Sequence, residues 1–250
     1  MIMRKKIVAG NWKMNLVASE VDAFIAQCET TPDEVSVMIA PSALYLERML
    51  SLKSKGLWIA AQDVSIHAKG AYTGECSAAQ LQSMGVQGAI VGHSERRTYH
   101  QEDDVLIGKK VVACLNAGIT PVYCCGETLT ERESGKHFSI VEQQVLTALQ
   151  DRTAEEMLKI VIAYEPVWAI GTGVTASNEQ AEEMHVWIRS CIEKQWGGAV
   201  ANQIPILYGG SVNPGNAAAL FACPNVDGGL VGGASLKNAD FEAIIQAARA

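Results

Sequence analysis

No apolar run in this 250-residue chain approaches the roughly 20 residues that a membrane-spanning helix requires. Long charged and low-complexity tracts are missing as well, so disorder of the high-charge kind is excluded everywhere but the ends. The net charge of −7 and pI of about 5.3 leave no basic face for nucleic acid. A small anionic substrate stays open, because a few cations placed in a cleft outweigh a diffuse acidic surface. No C-x-x-C pair occurs among the seven scattered cysteines, and an odd count in a sizeable hydrophobic chain reads as reduced, mostly buried thiols. The basic start, Met1 to Lys6, is followed by only four small or apolar residues, Ile7 to Gly10, which is too short for a signal core. The expected compartment is cytoplasmic. The five histidines, His67, His93, His100, His137 and His185, show no metal-ligand spacing.

What the chain does contain is 48% hydrophobic residues, enough for one large core, and no linker-like stretch divides it. A single domain over residues 1–250 is expected. Short apolar runs recur at Ile7–Ala9, Val37–Ala40, Trp58–Ala61, Gly88–Val91, Thr120–Cys124, Ile160–Tyr164, Pro205–Tyr208 and Gly229–Val231. None alternates polar with apolar, which marks strands covered on both faces, as in parallel sheets. Helical stripes lie between them. Val21, Phe24, Ile25 and Cys28 follow Ser19 as a cap, and Phe138, Val141, Val145 and Leu149 repeat the spacing. Ser177 and Gln180 form a capping-box pattern ahead of Met184, Ile188 and Cys191. Phe241, Ile244, Ile245 and Ala248 follow Asn238, and Gly118 stands where a helix-ending glycine belongs. Eight βα units in 250 residues predict an α/β fold, a closed, parallel (β/α)8 barrel, with an open doubly wound sheet as the competing arrangement.

In a barrel the residues just after each strand form the active face. Asn11, Trp12 and Lys13 follow the first strand, pairing an amide with a cation. His93 and Ser94 follow the fourth, with Ser94 as a candidate helix cap and His93 beside a helix N-terminus, which lowers an imidazole pKa. The Gly92-His93-Ser94-Glu95-Arg96 stretch is not a nucleophile elbow, since Arg96 replaces its final glycine. Glu165 ends the sixth apolar run; it is either a general base or a structural carboxylate paired with Arg96 or Arg97. The apolar, glycine-bearing stretch from Pro166 to Ala176 fits a lid that excludes water, or an ordinary buried connection. Its Gly171-x-Gly173-x-x-Ala176 pattern imitates a dinucleotide fingerprint but lacks the acidic residue near the end of the next strand. Gly209-Gly210-Ser211 and Gly232-Gly233-Ala234 follow the last two strands, where backbone N–H groups and a short helix opening near Ala234 would meet a phosphate.

These stretches, with Asn11 to Asn15, Gly70 to Glu75, Gly92 to Arg97, Ala163 to Gly173, Tyr208 to Ser211 and Val231 to Ala234 in the same order, resemble the triosephosphate isomerase family from end to end. The resemblance implies proton transfer between the two carbons of a phosphorylated aldose–ketose pair, D-glyceraldehyde 3-phosphate and dihydroxyacetone phosphate. It makes Glu165 the base, His93 a neutral electrophile and Lys13 the stabiliser of enediolate and phosphate charge. Asn11 then orients the substrate, while Gly171, Ser211, Gly232 and Gly233 supply N–H groups to its phosphate. Glu95 resembles a partner for Lys13 rather than a reacting group, and no metal or organic cofactor is implied. Val174 departs from the lysine common in relatives, and Cys124-Cys125 matches only loosely and reads as core thiol.

The Gly70–Glu75 loop resembles an arm that reaches into a neighbouring subunit near Lys13, which implies a homodimer with Thr73 at the partner's site. Four other readings stay in view: a Schiff-base aldolase using Lys13 or another phosphosugar isomerase on the same barrel, a dinucleotide oxidoreductase, and a non-catalytic phosphate-binding or scaffold protein.

Overall fold

The computed structural model describes residues 4–29, 31–171 and 175–249; the expectations placed on Thr172, Gly173 and Val174 fall outside them. Eight parallel strands among the described residues close into a barrel in chain order: β1 Lys6–Asn11, β2 Val35–Ala40, β3 Trp58–Ala61, β4 Gly88–Val91, β5 Thr120–Cys125, β6 Val161–Tyr164, β7 Ile206–Tyr208 and β8 Gly228–Val231. Closure is direct, with Ile7 opposite Gly228 and Gly10 opposite Val231, so the open doubly wound sheet is excluded.

The absence of alternation along the strands now has its cause. Ile7, Ala9, Met38, Ala40, Ile90, Val122, Ala163 and Leu207 point into the barrel and pack on one another. Their neighbours Val8, Val37, Ile39, Val91, Tyr123, Ile162 and Ile206 point outward beneath the helices. Each strand is therefore apolar on both faces for two different cores.

The outer ring is built from α1 Ala18–Gln27, α2 Leu46–Leu50, α3 Ala78–Met84, α4 Ser94–Tyr99, α5 Asp104–Asn116, α6 Leu129–Glu133, α7 His137–Leu149, α8 Ala154–Met157, α9 Asn178–Trp196, α10 Gly198–Ala201, α11 Ala217–Phe221 and α12 Asn238–Ala247. Ser177 caps α9 as expected: its side chain accepts from Gln180 N, and the Gln180 side chain returns to Ser177 N. Gly118 is left-handed (φ +72°) just past the end of α5. Two caps differ. Ser19 lies inside α1, whose first turn is closed by Glu20 accepting from Val17 N at 2.7 Å. Asn238 is the first residue of α12, behind Lys237. All seven cysteines are free thiols, and Cys124 and Cys125 are fully buried.

Candidate active site

The C-terminal ends of the strands open onto a cavity of about 520 Å³, a size that suits a small metabolite. Asn11, Lys13, His93, Glu165, Gly171, Ser211, Gly232 and Gly233 all line it, so residues drawn from β1, β4, β6, β7 and β8 converge on one space.

Glu165 directly follows β6, and its side chain is only 3% exposed. Its backbone N–H donates to Cys125 O at 2.8 Å, which continues the barrel ladder one residue past the strand. Glycine makes room for it on both sides. A Cβ at Gly126 would run into the Glu165 carbonyl, and one at Gly209 would lie 2.9 Å from Glu165 Cγ. At the carboxylate, Oε2 accepts from Ser94 N at 2.9 Å, and Oε1 meets His93 Nε2 at 3.0 Å. Neither arginine weighed as its structural partner reaches it. Arg96 pairs with Asp63 and Glu102, and Arg97 with Asp104 and the carbonyls of Gly92 and Cys124.

His93, rather than Ser94, caps α4: its Nδ1 accepts from Glu95 N at 3.2 Å. An acceptor at Nδ1 leaves the ring's proton on Nε2, facing Glu165 Oε1, and defines a neutral tautomer. The expected lowering of its pKa does not hold in this arrangement. Burial opposes charging the ring, but the Glu165 carboxylate, by charge and hydrogen bond, outweighs burial and raises the pKa. The Glu95 N–H acts against that shift, because it points at Nδ1 and opposes a proton there.

Lys13 occupies a left-handed conformation, φ 50°, which a side chain adopts only under constraint. The constraint is visible. Its N–H donates to Asn11 Oδ1 at 3.0 Å, its carbonyl accepts from Gln62 Nε2 at 2.8 Å, and its ammonium meets Glu95 Oε1 at 2.6 Å. Trp12, between Asn11 and Lys13, is fully buried edge-on against Phe24 and donates to Ser235 O at 3.1 Å. The first loop is thereby tied to the turn after β8, where a short 3-10 helix runs Gly233–Leu236. An ammonium held on a carboxylate is a poor amine nucleophile, which disfavours Schiff-base chemistry at Lys13.

The segment after Glu165 begins with a 3-10 turn, Val167–Ala169. Trp168 donates to Glu127 Oε1 at 2.8 Å, and the fully buried Glu127 carboxylate also takes Tyr164 Oη and Arg132. Gly171 lies on this segment well ahead of α9, not at a tight strand-to-helix turn, and Gly173 is outside the described residues. The dinucleotide reading thus loses its structural context. Tyr208, ending β7, tucks beneath Gly210; burial, set against the Ala176 backbone, pushes its hydroxyl pKa up to about 12.

Gln62, Gly126 and Glu127 were not singled out from the sequence, although they stand just after β3 and β5. Tyr208 entered only as part of the Tyr208–Ser211 stretch. Fold and cavity together put the chain among the (β/α)8-barrel enzymes, whose chemistry sits at this mouth.

Comparison with known proteins narrows that class. The Triosephosphate isomerase family profile matches residues 6–248. A triosephosphate isomerase of Cytophaga hutchinsonii is 49% identical over 96% of this chain and 97% of its own length. That of Flavobacterium johnsoniae is 47% identical over 98% and 100%, and one from Stenotrophomonas maltophilia is 48% identical over 99% and 100%. The chain belongs to the triosephosphate isomerase family, and it is an isomerase of triose phosphates.

Proposed function

We propose that the chain interconverts D-glyceraldehyde 3-phosphate and dihydroxyacetone phosphate through an enediolate, with Glu165, His93 and Lys13 as its catalytic residues. Glu165 takes the proton from the carbon beside the carbonyl and returns it to the neighbouring carbon. His93 turns its Nε2–H from Glu165 to the substrate's carbonyl oxygen and moves protons between the two oxygens. The Lys13 ammonium offsets the charge that collects on the enediolate and phosphate, and Asn11 orients the substrate. Gly171, Ser211, Gly232 and Gly233 present N–H groups to the phosphate. Donors already aimed at the developing charge stabilise it strongly because they need no reorganisation during reaction.

One observation carries the reading: a buried carboxylate 3.0 Å from the Nε2 of an imidazole whose Nδ1 accepts a hydrogen bond, on the wall of a cavity whose other wall is Ser211, Gly232 and Gly233. A substrate entering there exchanges the Glu165–His93 contact for one with each group. The test is conversion of glyceraldehyde 3-phosphate by wild type and by Glu165→Gln, with turnover falling by roughly three orders of magnitude or more and substrate binding little changed. Unchanged turnover would remove Glu165 from the mechanism.

The same reading takes residues 1–250 as one cytoplasmic domain that works as a homodimer. The Gly70–Glu75 arm is exposed throughout, braced by Tyr72 stacked on His67 at 3.6 Å and by Ser65 donating to Glu75. A second recess of about 320 Å³ lies beside Lys13, walled by Met14, Glu95, Tyr99 and His100, and suits the tip of such an arm with Thr73 leading. Met14, at 94% exposure, gives that rim an apolar surface. Sedimentation should show a dimer; a fully active monomer sinks the arrangement.

A further inference from the structure

Outside the cavity, four ionised side chains form a closed ring. Asp63 Oδ1 meets Lys110 Nζ at 2.5 Å, and Asp63 Oδ2 meets Arg96 at 2.9 Å. Glu102 Oε1 takes both cations, Arg96 at 2.7 Å and Lys110 at 2.6 Å. Glu102 and Lys110 are almost wholly buried, and Glu102 Oε2 has no hydrogen-bond partner among the described residues. Glu102 is delivered by Gln101, whose backbone is left-handed at φ 56°.

Such a ring is an indifferent source of stability, because desolvating four charges consumes much of what their attraction returns. Asp63 shows this directly. Burial outweighs Lys110 and Arg96, and its carboxyl pKa lies above the usual value rather than below it. The ring's positions in the chain are more telling. Gln62, next to Asp63, holds the Lys13 carbonyl and also donates to Ala40 O at 2.9 Å. Glu95, next to Arg96, holds the Lys13 ammonium. In the loop after β3 and again in the first turn of α4, one residue grips Lys13 and the following one is locked into the ring.

We infer that the Asp63–Lys110–Glu102–Arg96 ring is a positioning device for Lys13, and that Asp63 is a positioning residue for the isomerisation. The ring fixes the loop after β3 against α4, so that the two grips on Lys13 keep their spacing and its left-handed backbone is held. Asp63 is the link between them: each of its oxygens takes a different cation, from α4 and from α5. The inference rests on the role proposed for Lys13.

The test is Asp63→Asn made in wild type and in a Lys13→Ala background, with melting temperature, kcat/KM and a crystal structure for each. Misplacing a charged group by a fraction of an ångström lowers kcat/KM by roughly tenfold in the wild-type background. In the Lys13→Ala background the same substitution should change nothing, because the group it positions is gone. The Asp63→Asn structure should show Lys13 Nζ drawn off Glu95. An equal loss in both backgrounds, or a change in melting temperature alone, overturns the inference, as does a Lys13 that has not moved. Wild-type turnover in Lys13→Ala would instead refute the catalytic role of Lys13, while a displaced Lys13 in Asp63→Asn would still support the brace.

Discussion

At the N-terminal end of the barrel, Asp227 stands just ahead of β8 with both oxygens taken. Oδ1 accepts from Arg4 at 2.7 Å, and Oδ2 accepts from Arg189 at 2.7 Å and from Ile206 N at 2.9 Å. Arg189 is completed by Asn225 Oδ1 and Ile204 O. At the other end, Glu165 is buried to the same degree and also takes a backbone N–H, yet where Asp227 meets arginines it meets a histidine that lines a cavity. One carboxylate is saturated by groups with no other task. The other rests on a group that substrate can claim. Burial alone does not separate a structural acid from the proposed base; what each partner is free to do does.

The largest effects should fall on opposite quantities. Glu165→Gln should lower turnover by roughly three orders of magnitude or more while the melting transition stays close to wild type. Asp227→Ala should do the reverse, costing about 3–5 kcal/mol by leaving Arg189 and Arg4 without their counter-charge, with kcat per folded molecule retained. Chemical denaturation and steady-state kinetics on both proteins would settle it. An Asp227→Ala enzyme that is stable but inactive would erase the distinction between the two ends.

The same contrast explains what could be read from residue types. All eight strands were legible because each is apolar toward two cores, and no surface strand has that composition. Glu165, His93 and Lys13, which line the cavity, stood out as candidates because each carries its chemistry in the side chain and follows a strand closely. Ser177 was legible as a cap for the same reason, whereas the caps of α1 and α4 were missed: Val17 contributes only its backbone, and His93 uses a ring nitrogen. Gln62 escaped because an amide after β3 has no signature until the Lys13 carbonyl lies beside it. Gly126 escaped because its contribution is the Cβ it lacks. The direction of the His93 pKa shift could not be read locally, since its cause, Glu165, arrives from another strand.

Two buried histidines sharpen the comparison at the smallest scale. His93 faces a carboxylate that raises its pKa, whereas His185, on α9, faces none. Full burial, helped by Arg189 and Lys6, pushes the His185 pKa from 6.5 down to about 3. Its Nδ1 contacts Asn225 O at 3.1 Å, and its buried Nε2 has no hydrogen-bond partner among the described residues, so a second proton would enter an apolar pocket beside Tyr164 and Tyr208. Between those two pH values the unfolded chain binds a proton that the folded chain refuses. The contribution is therefore fully present above pH 6.5 and is lost as pH falls toward about 3, at roughly 1.4 kcal/mol per pH unit. His185→Gln removes that titration and should flatten the decline in melting temperature between pH 7 and pH 4, measured by calorimetry against wild type. Parallel declines in the two proteins would mean that His185 takes up its proton without unfolding, and that the closed end of the barrel is more open to charge than its saturated contacts imply.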